Sequence, residues 1–465
     1  MKHAVILGGG VTGLTTAAEL LARGWRASVL ERDAEIGGLA GGFELLGHRF
    51  DFGPHALYTN HEAAYRYFKE LLGDELVPIG RKRVAIVFRG RRFPYPLKVL
   101  PALRRLPLLE VFAAGRDLLY VKLRNALKKP KSDSFESYME NYFGRTLYRI
   151  FFRDYTTKVW GVPPQTLSAN FASERIPKVR IWRALVGSLL ADKTERPASS
   201  GDFDPSQFYY PRRGLGQFHA AHRRRIEERG GRIRTGCHAV AIASEGRRAV
   251  AVELESAGGR ERLPFDALVS TIPVNALASL LQGGVPLAGE AALLRHREVV
   301  FVGMVVGRPR AFEHQWVYYQ DPGVIFHRVY ENRHFLESGP ETAGTTGLCA
   351  ELTDHESRDD ETLFRETVGG LARLGLVEPR EVLAHRVVRV AEAYPLYTTG
   401  YQKALRACLD EVTRYENVWT AGRQGLFRYV DMDHCVLMGK GVAAQIAGGQ
   451  RTLEEQRILA AHSEA

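Results

Sequence analysis

A glycine-rich segment near the start of the chain is the strongest indication of chemistry in the sequence. Gly8, Gly10 and Gly13 follow the apolar run 4–7 and fit the pattern G-x-G-x-x-G. In such a turn the first glycine permits a tight bend, the second lets a diphosphate approach the backbone, and the third lets a helix pack on a strand. The free N–H groups and positive dipole of the following helix would stabilise the diphosphate.

An acidic residue completes this unit. A helical pattern over 14–21 leads to a second strand-like run at 27–30, which ends at Glu31, 18 positions after Gly13. The Glu31 carboxylate can accept hydrogen bonds from a ribose. We interpret residues 4–31 as a βαβ dinucleotide-binding unit, and the competing interpretation is a purely structural glycine-rich turn.

A second glycine cluster, over residues 36–42, follows directly after Glu31 and Arg32. It resembles flavoproteins with two dinucleotide motifs, in which the extra glycines let the backbone approach the diphosphate and ribityl chain of FAD. A nicotinamide dehydrogenase does not need this cluster. The resemblance therefore implies FAD as a resident cofactor, and a mobile loop is the alternative interpretation of the segment.

Length, charge and cysteine usage limit the classes of function. With 465 residues the chain should form two or three structural units with a large core. No apolar run reaches the ~18 residues of a membrane-spanning helix, and no signal-peptide pattern is present. Four widely spaced cysteines without C-x-x-C indicate reduced thiols, a cytoplasmic location and no zinc site. His219 and His222, on a predicted helix, are interpreted as surface residues.

The net charge of +11 comes largely from scattered arginines. It is compatible with an anionic small-molecule substrate, and because no nucleic-acid-binding module appears, no nucleic-acid partner is predicted. Residues 97–129 combine apolar and basic side chains. Such a stretch can lie on an anionic membrane surface, although packing within a substrate domain is the simpler interpretation.

Strand-like runs of the nucleotide-binding type occur at 266–273 and 417–422 as well as near the N-terminus. We therefore predict an α/β fold with one discontinuous Rossmann-type FAD-binding domain and a mixed substrate domain. The segments predicted for the FAD-binding domain are 1–75, 207–285 and 385–465. The substrate domain is predicted as a mainly helical insert over 76–206 and an antiparallel sheet over 286–384, with strand-like runs at 298–307, 314–319, 323–330 and 346–353.

Polar and aromatic residues recur in four later segments. Two of these are Gly53-Pro54-His55 with Thr59-Asn60, and Tyr155 to Gly161 with Lys158 and Trp160. The other two are Arg175-Ile176-Pro177 and the stretch from Gly422-Arg423 through Tyr429 to Asp431-Met432-Asp433. A single histidine such as His55 is by itself more often a hydrogen-bonded core residue than a catalytic group.

Taken together, these segments resemble the flavoproteins grouped around protoporphyrinogen oxidase, the amine oxidases and UDP-galactopyranose mutase. The strongest matches are to motifs of the mutase, G-x-H-x-x-x-T-N at 53–60 and Y-T-x-K-x-W-G at 155–161. The segment Ser270-Thr271-Ile272-Pro273 departs from the mutase pattern T-G-x-I-D and resembles the oxidases and desaturases instead.

The resemblance implies roles for individual residues. His55 would lie beside the flavin ring, Arg175 would contact a substrate diphosphate, and Tyr429 would contact substrate phosphates. The predicted substrate-binding residues are Trp160, Arg175, Tyr397 and Tyr429. The predicted cofactor-binding residues are Gly8, Gly10, Gly13, Glu31, Arg32, Gly38, Leu39, Gly53, Pro54, His55, Val240, Gly422, Arg423, Asp431 and Met432.

The predicted function is that of an FAD-dependent oxidoreductase acting on a small molecule, such as a sugar nucleotide or diphosphate-linked sugar. The predicted reaction transfers a hydride to flavin N5 and uses an external electron acceptor or reductant. His55 is the predicted catalytic residue, because the unperturbed pKa of imidazole lies near neutrality. One alternative is non-redox pyranose–furanose isomerisation by reduced flavin. A second alternative is an oxidase or desaturase of a lipid or terpenoid at a membrane surface.

Overall fold

The computed structural model of the chain describes residues 1–80, 83–95, 104, 106–127, 130–171, 203, 207–284, 289, 293–336, 339, 342–354 and 356–449. The strands are β1 His3–Leu7, β2 Arg26–Leu30, β3 Gly42–Leu45, β4 His48–Asp51, β5 Leu76–Gly80, β6 Val84–Phe88, β7 Arg91–Pro94, β8 Phe208–Pro211, β9 Arg232–Arg234, β10 Cys237–Glu245, β11 Arg248–Ser256, β12 Gly259–Pro264, β13 Ala267–Ser270, β14 His296–Val306, β15 Trp316–Tyr319, β16 Phe326–Glu331, β17 Thr346–Leu352, β18 Val382–Pro395 and β19 Val418–Thr420. The α-helices are α1 Val11–Ala22, α2 Glu62–Leu72, α3 Leu108–Leu127, α4 Phe135–Phe143, α5 Arg145–Tyr148, α6 Asp154–Trp160, α7 Leu215–Glu228, α8 Val274–Leu281, α9 Asp360–Arg373, α10 Tyr401–Thr413, α11 Gly422–Gly425 and α12 Met432–Gly448.

A five-stranded parallel sheet carries the nucleotide-binding unit. Its strand order is β19-β13-β1-β2-β9, so strands from the start, middle and end of the chain lie side by side. In β1, Ala4 and Ile6 belong to one hydrophobic cluster and Val5 and Leu7 to another. Side chains alternate across a strand, so the central strand is buried on both faces, as is usual in parallel sheets.

A seven-stranded sheet forms the second main layer, in the order β18-β14-β17-β16-β15-β6-β7. Its neighbouring strands are antiparallel except β15 and β6, which are parallel. The strand β18 crosses the predicted domain boundary at 384–385 and pairs with β14. The predicted α/β class, with a parallel sheet and a mixed sheet, is confirmed, whereas the domain boundaries stay predictions.

Most of the predicted elements are present, with small shifts at their ends. The C-terminal segment forms α12 as far as Gly448, and residues 450–465 lie outside the described residues. Within the described helices, none combines the length and apolar composition needed to cross a bilayer.

The surface interpretation of His219 and His222 is wrong. Both side chains are buried, because this face of α7 packs against α2 and the second glycine cluster. The Nε2 atom of His219 is 2.8 Å from the Ala40 carbonyl oxygen, and Nε2 of His222 is 3.1 Å from the Tyr67 hydroxyl. The helical spacing of the two histidines does not indicate this packing, because the residues that they contact are distant in the sequence.

Candidate active site

The glycine turn after β1 is shaped by close backbone contacts. Gly8 has a φ of +100°, and a Cβ atom there would lie 2.4 Å from the Thr271 hydroxyl oxygen. That hydroxyl donates a hydrogen bond to the Leu7 carbonyl at 3.0 Å. A Cβ atom on Gly13 would lie 2.1 Å from the Gly8 carbonyl oxygen, so any side chain would push α1 away from the turn. Gly10, by contrast, has open space where its side chain would be.

The Glu31 carboxylate holds the same turn in place. It follows β2, is 8% exposed, and accepts a hydrogen bond from the Gly9 N–H at 2.7 Å. Its other oxygen accepts from the Asp33 N–H at 2.9 Å. Glu31 also lines the cavity described below. The acidic residue therefore stabilises the turn itself, a role that the sequence pattern did not indicate.

The second glycine cluster packs directly on the first. The Gly37 N–H donates to the Gly9 carbonyl at 2.8 Å, and a Cβ atom on Gly38 would lie 3.4 Å from the Gly10 Cα. Gly37 and Gly38 have φ values of +126° and +52°. The two segments are tied by backbone hydrogen bonds, which argues against the mobile-loop interpretation.

The C-terminal segment meets the glycine turns through α1 and α12, which pack together. Gly422 has a φ of +82°, and a Cβ atom there would lie 2.8 Å from the Thr12 hydroxyl oxygen. Asp431 is the N-terminal capping residue of α12 and Met432 is its first residue. The first turns of both helices therefore line one cavity, toward which each helix presents the positive end of its dipole.

One cavity of about 1400 Å³ connects these segments. This volume exceeds the ~300–1,000 Å³ of ordinary small-molecule pockets and suits an extended ligand with two parts. The predicted cofactor-binding residues that line it are Gly8, Gly10, Glu31, Arg32, Gly38, Leu39, Pro54, His55, Gly422, Arg423, Asp431 and Met432. Gly13 and Gly53 lie beside lining residues, and Val240 directly follows the lining residue Ala239.

Arg423 supplies hydrogen-bond donors to this cavity. Within the described part of the chain, its buried Nε and Nη2 atoms have no hydrogen-bond partner. Two buried guanidinium donors without an acceptor are costly, which makes them a ready site for an anionic or carbonyl group of a ligand. The open Gly10 position, the two helix N-termini and this arginine all fit FAD.

His55 is partly buried in the wall of the cavity. Its Nε2 atom is 2.7 Å from the Phe52 carbonyl oxygen, which can only accept, so Nε2 carries the hydrogen. Burial lowers the pKa of His55 to about 4. The imidazole is therefore neutral at pH 7, because burial disfavours the charged ring, and the catalytic role of His55 stays a prediction.

Part of the cavity wall, called the aromatic end below, is aromatic. Its lining there includes Tyr58, Phe208, Trp316 and Tyr318, with the rings of Tyr58 and Phe208 5.1 Å apart. Sequence reasoning did not assign these residues to the site. For Trp316 and Tyr318 the signal was the aromatic composition of the predicted strand at 314–319, which is also usual in an ordinary core strand.

The predicted substrate-binding residues form a second group behind Arg423. The Trp160 ring lies 5.5 Å from Tyr394 and 6.4 Å from Tyr429. The Tyr397 hydroxyl accepts a hydrogen bond from the Tyr429 N–H at 3.1 Å, and Tyr397 is itself buried. The structure therefore brings three of the four together. The fourth, at position 175, lies outside the described residues.

A buried ion pair supports the turn that holds His55. Arg328 on β16 donates through Nε to Glu351 on β17 at 2.7 Å, and Glu351 is fully buried. A Cβ atom on Gly53 would lie 3.2 Å from the Arg328 Nη2 atom. Sequence analysis missed this pair, since only the register of two strands brings the residues together. Among the described residues, no cluster of histidine, cysteine and acidic side chains could hold a metal ion.

A parallel sheet with glycine turns, two helix N-termini and a long cavity define a dinucleotide-binding enzyme of the flavoprotein class. The sequence model of the family described as "Flavin containing amine oxidoreductase" matches residues 11–447, and the chain belongs to this family. The predicted resemblance is thereby confirmed, and FAD is the cofactor.

Individual similar proteins cover several activities. A probable UDP-galactopyranose mutase from Klebsiella pneumoniae is 26% identical over 187 residues, which are 38% of this chain and 45% of the mutase. The match thus spans less than half the length of that relative. A crystal structure of reduced UDP-galactopyranose mutase has a TM-score of 0.78 at 21% identity, covering 98% of this chain and 96% of that one. A putative protoporphyrinogen oxidase from Exiguobacterium sp. 255-15 has a TM-score of 0.72 at 20% identity, covering 97% and 99%. The two structural likenesses show the fold.

Proposed function

We propose that the protein is an FAD-dependent oxidoreductase whose substrate is a diphosphate-linked sugar or sugar nucleotide. The observation that carries the proposal is a single cavity that joins the glycine turns to an aromatic wall. One end has the backbone groups that bind a dinucleotide, and the other has ring faces on which a sugar or a base stacks.

At the nucleotide end, the residues of this chain would bind and orient the cofactor. Gly8, Gly10 and Gly38 would let the backbone approach the diphosphate, and the N-termini of α1 and α12 would stabilise its charge. Arg423 would donate from its two unpartnered nitrogen atoms. When bound, FAD supplies a hydride acceptor at its N5 atom, and an external electron acceptor completes the reaction.

At the aromatic end, Tyr58, Phe208 and Trp316 would hold the substrate ring and exclude water. Trp160 and Tyr429 would position the wall behind Arg423 through the ring contacts given above. His55, held neutral by burial, would orient a ligand group with its unprotonated Nδ1 atom and would stay uncharged at pH 7. A proton released on substrate oxidation would therefore leave through water or a ligand group.

A second candidate is non-redox isomerisation between pyranose and furanose rings with reduced FAD. The likeness to UDP-galactopyranose mutase over most of both chains favours this candidate. The segment Ser270 to Pro273 favours the oxidoreductase, because it lacks the pattern T-G-x-I-D of the mutase. Both candidate reactions need the same cavity. They differ in whether oxidised or reduced FAD carries out the reaction.

An anaerobic experiment separates the candidates. Oxidised holoprotein is mixed with UDP-hexoses, and the flavin absorbance and the products are followed together. The oxidoreductase proposal expects bleaching of the flavin with one oxidised sugar per flavin reduced. Product that forms only after dithionite reduction, without bleaching by the sugar, supports the isomerase. If neither occurs with any UDP-hexose, the proposed substrate class is wrong.

A pair of variants at Tyr58 tests the aromatic wall. Its side chain is 47% exposed, so substitution should leave folding intact. Tyr58→Ala should raise the substrate concentration for half-maximal bleaching by about tenfold, since stacking is worth ~0.5–1.5 kcal/mol beyond area burial. Tyr58→Phe keeps the ring and should resemble the wild type. Equal behaviour of both variants would contradict stacking at this position.

A further inference from the structure

Helix α3 carries a long exposed apolar face. Its 20 residues span about 30 Å. Large apolar side chains that are 58% to 90% exposed include Leu108, Phe112, Leu119, Tyr120, Leu123 and Leu127. Their helical spacing places them on one side of α3. Single exposed apolar residues are ordinary, but a contiguous face of this size indicates an interaction surface.

The opposite side of α3 already supplies the packing within the protein. Ala114 and Val121 are buried there, and Ala114 belongs to a hydrophobic cluster with Phe93 and Phe151. The inner side of α3 alone therefore accounts for packing within the substrate domain, which was the simpler interpretation of this stretch.

The charges of α3 are divided between the same two sides. Its acidic residues turn inward: Glu110 accepts from Arg89 Nη1 at 2.9 Å, and the Asp117 carboxylate accepts from the Thr146 N–H at 2.9 Å. The exposed cations Arg116 and Lys122 lie on the outer side. Arg116 reaches Asp117 at 3.1 Å but is 78% exposed, and such surface pairs contribute little. The outer side is therefore apolar and cationic.

We propose that α3 docks lengthwise on the surface of an anionic lipid bilayer. The leucines and Phe112 enter the boundary between headgroups and acyl chains, as an interfacial amphipathic helix does. Arg116 and Lys122 extend along this apolar face and place their charges among lipid phosphates. Tyr120 places its hydroxyl at the headgroup level. This inference does not depend on the substrate proposed above.

A second copy of the chain is the less suitable occupant of this face. A two-fold contact is self-complementary, so α3 would pack against α3 of the partner, whether the two helices run parallel or antiparallel. Arg116 lies near the middle of the helix and within the apolar face, so the two Arg116 side chains would meet. Like charges brought together in a desolvated contact cost free energy, whereas lipid phosphates neutralise both.

Docking would also bring the cavity close to the bilayer. The half-buried Leu118 on α3 and Tyr318 pack against the same hydrophobic cluster, and Tyr318 lines the aromatic end of the cavity. The helix and that end of the cavity are therefore linked through one hydrophobic cluster.

Co-sedimentation of the holoprotein with vesicles tests the proposal. Vesicles of equimolar phosphatidylcholine and phosphatidylglycerol should pellet the wild type at low salt, whereas phosphatidylcholine alone should pellet much less. Binding should weaken as salt is raised, because the cationic contribution is screened. Arg116→Ala and Lys122→Ala should each lower the partition coefficient about fivefold.

The decisive variant is Phe112→Ser/Leu119→Ser/Leu123→Ser, which should lower the partition coefficient at least ~100-fold. These side chains are exposed, so flavin content and thermal unfolding should be unchanged. Leu383→Ser is the matched control, since Leu383 is 57% exposed on β18, away from α3, and should bind like the wild type.

Results of two kinds, from vesicle binding or from sedimentation without lipid, would overturn the proposal. One is a wild type that stays in the supernatant with anionic vesicles at low salt, or a triple variant that pellets as the wild type does. The other is a dimer, seen by sedimentation velocity without lipid, that the triple substitution dissociates; the face would then be an interface between two copies.

Discussion

The guanidinium carbon of Arg423 lies 3.9 Å from the centre of the Tyr429 ring. The Tyr394 ring is 5.2 Å from the same carbon, and the two rings are stacked at 5.4 Å. The rings contact the guanidinium face and leave its Nε and Nη2 edges without partners among the described residues. This geometry orients two donors toward a ligand while the charge is compensated by ring faces.

Removing the Tyr429 ring should weaken FAD binding. A desolvated cation–π contact is worth ~2 kcal/mol, so Tyr429→Ala should raise the Kd for FAD about thirtyfold. Tyr429→Phe preserves the ring face and serves as the control. Titration of apoprotein with FAD, followed by flavin fluorescence, measures both. An unchanged Kd in Tyr429→Ala would show that the stack does not position Arg423 for the cofactor.

Glu31 should matter even without cofactor, because its two hydrogen bonds are made within the chain. In Glu31→Gln the amide group would place a donor against one of two backbone N–H donors. Hydrogen bonds to charged groups contribute ~1.5–3 kcal/mol, so the apoprotein should lose about that much stability in urea unfolding. A variant that loses FAD affinity but keeps full apoprotein stability would mean that Glu31 acts only on the ribose.

The Arg328–Glu351 pair should be far more sensitive to truncation than a surface pair. Glu351→Ala leaves a buried guanidinium unpaired and should cost ~3–5 kcal/mol. The control is Glu62→Ala, since Glu62 pairs with Arg66 at 2.7 Å on an exposed helix face and should cost less than ~1 kcal/mol. Urea midpoints of both variants give the comparison. If both substitutions lowered the free energy of unfolding equally, the burial of the Arg328–Glu351 pair would be contradicted.

His219 should make the protein sensitive to mild acid. Burial lowers its pKa to about 4, so between about pH 6.5 and 4 the unfolded chain binds a proton that the native state does not. Stability from this group is present above pH ~6.5 and is lost as the pH falls, by about 2 kcal/mol between pH 7 and 5. His219→Gln can still donate to the Ala40 carbonyl and should lose about 2 kcal/mol less than the wild type over this range, while the neighbouring His222, whose pKa burial also lowers, is unchanged.

The contribution of His434 to stability should change with pH in the opposite direction from that of His219. Its hydrogen bond to the Asp433 carboxylate, at 2.9 Å, raises the pKa of His434. A raised native pKa gives stability that is present below the unfolded value of ~6.5 and is lost as the pH rises through the native value. Half of the side chain is exposed, so the effect is small. Thermal unfolding of wild type and His434→Gln from about pH 6 to 9 should converge at the alkaline end; a constant difference would contradict the prediction.

Local patterns identified the nucleotide unit correctly because its elements are adjacent in the sequence. The run 4–7, the glycine turn and the helix pattern over 14–21 form consecutive elements whose contacts are short-range. The parallel strand ending at Ser270 and the strand β19 were also recognisable, since fully buried strands read as continuous apolar runs. These apolar runs did not indicate which strands lie beside each other in the sheet.

Other parts of the site depended on contacts between distant segments. The aromatic wall draws Tyr58, Phe208 and Trp316 from three parts of the chain, and none has a local pattern that distinguishes it from a core aromatic. The neutral state of His55 follows from its burial. The pKa of the free side chain gives no information about that burial.

The sequence by itself determined the βαβ unit, the dinucleotide motif, the two kinds of sheet and the family resemblance that implies FAD. Each rests on spacing within a short stretch, where backbone geometry and side-chain period are set locally. Only the tertiary structure decided that Glu31 supports the glycine turn, that Arg328 pairs with Glu351, and that one side of α3 is left exposed. Those outcomes depend on which surfaces meet after folding, and the free energy of burying a side chain is a property of its neighbours in space.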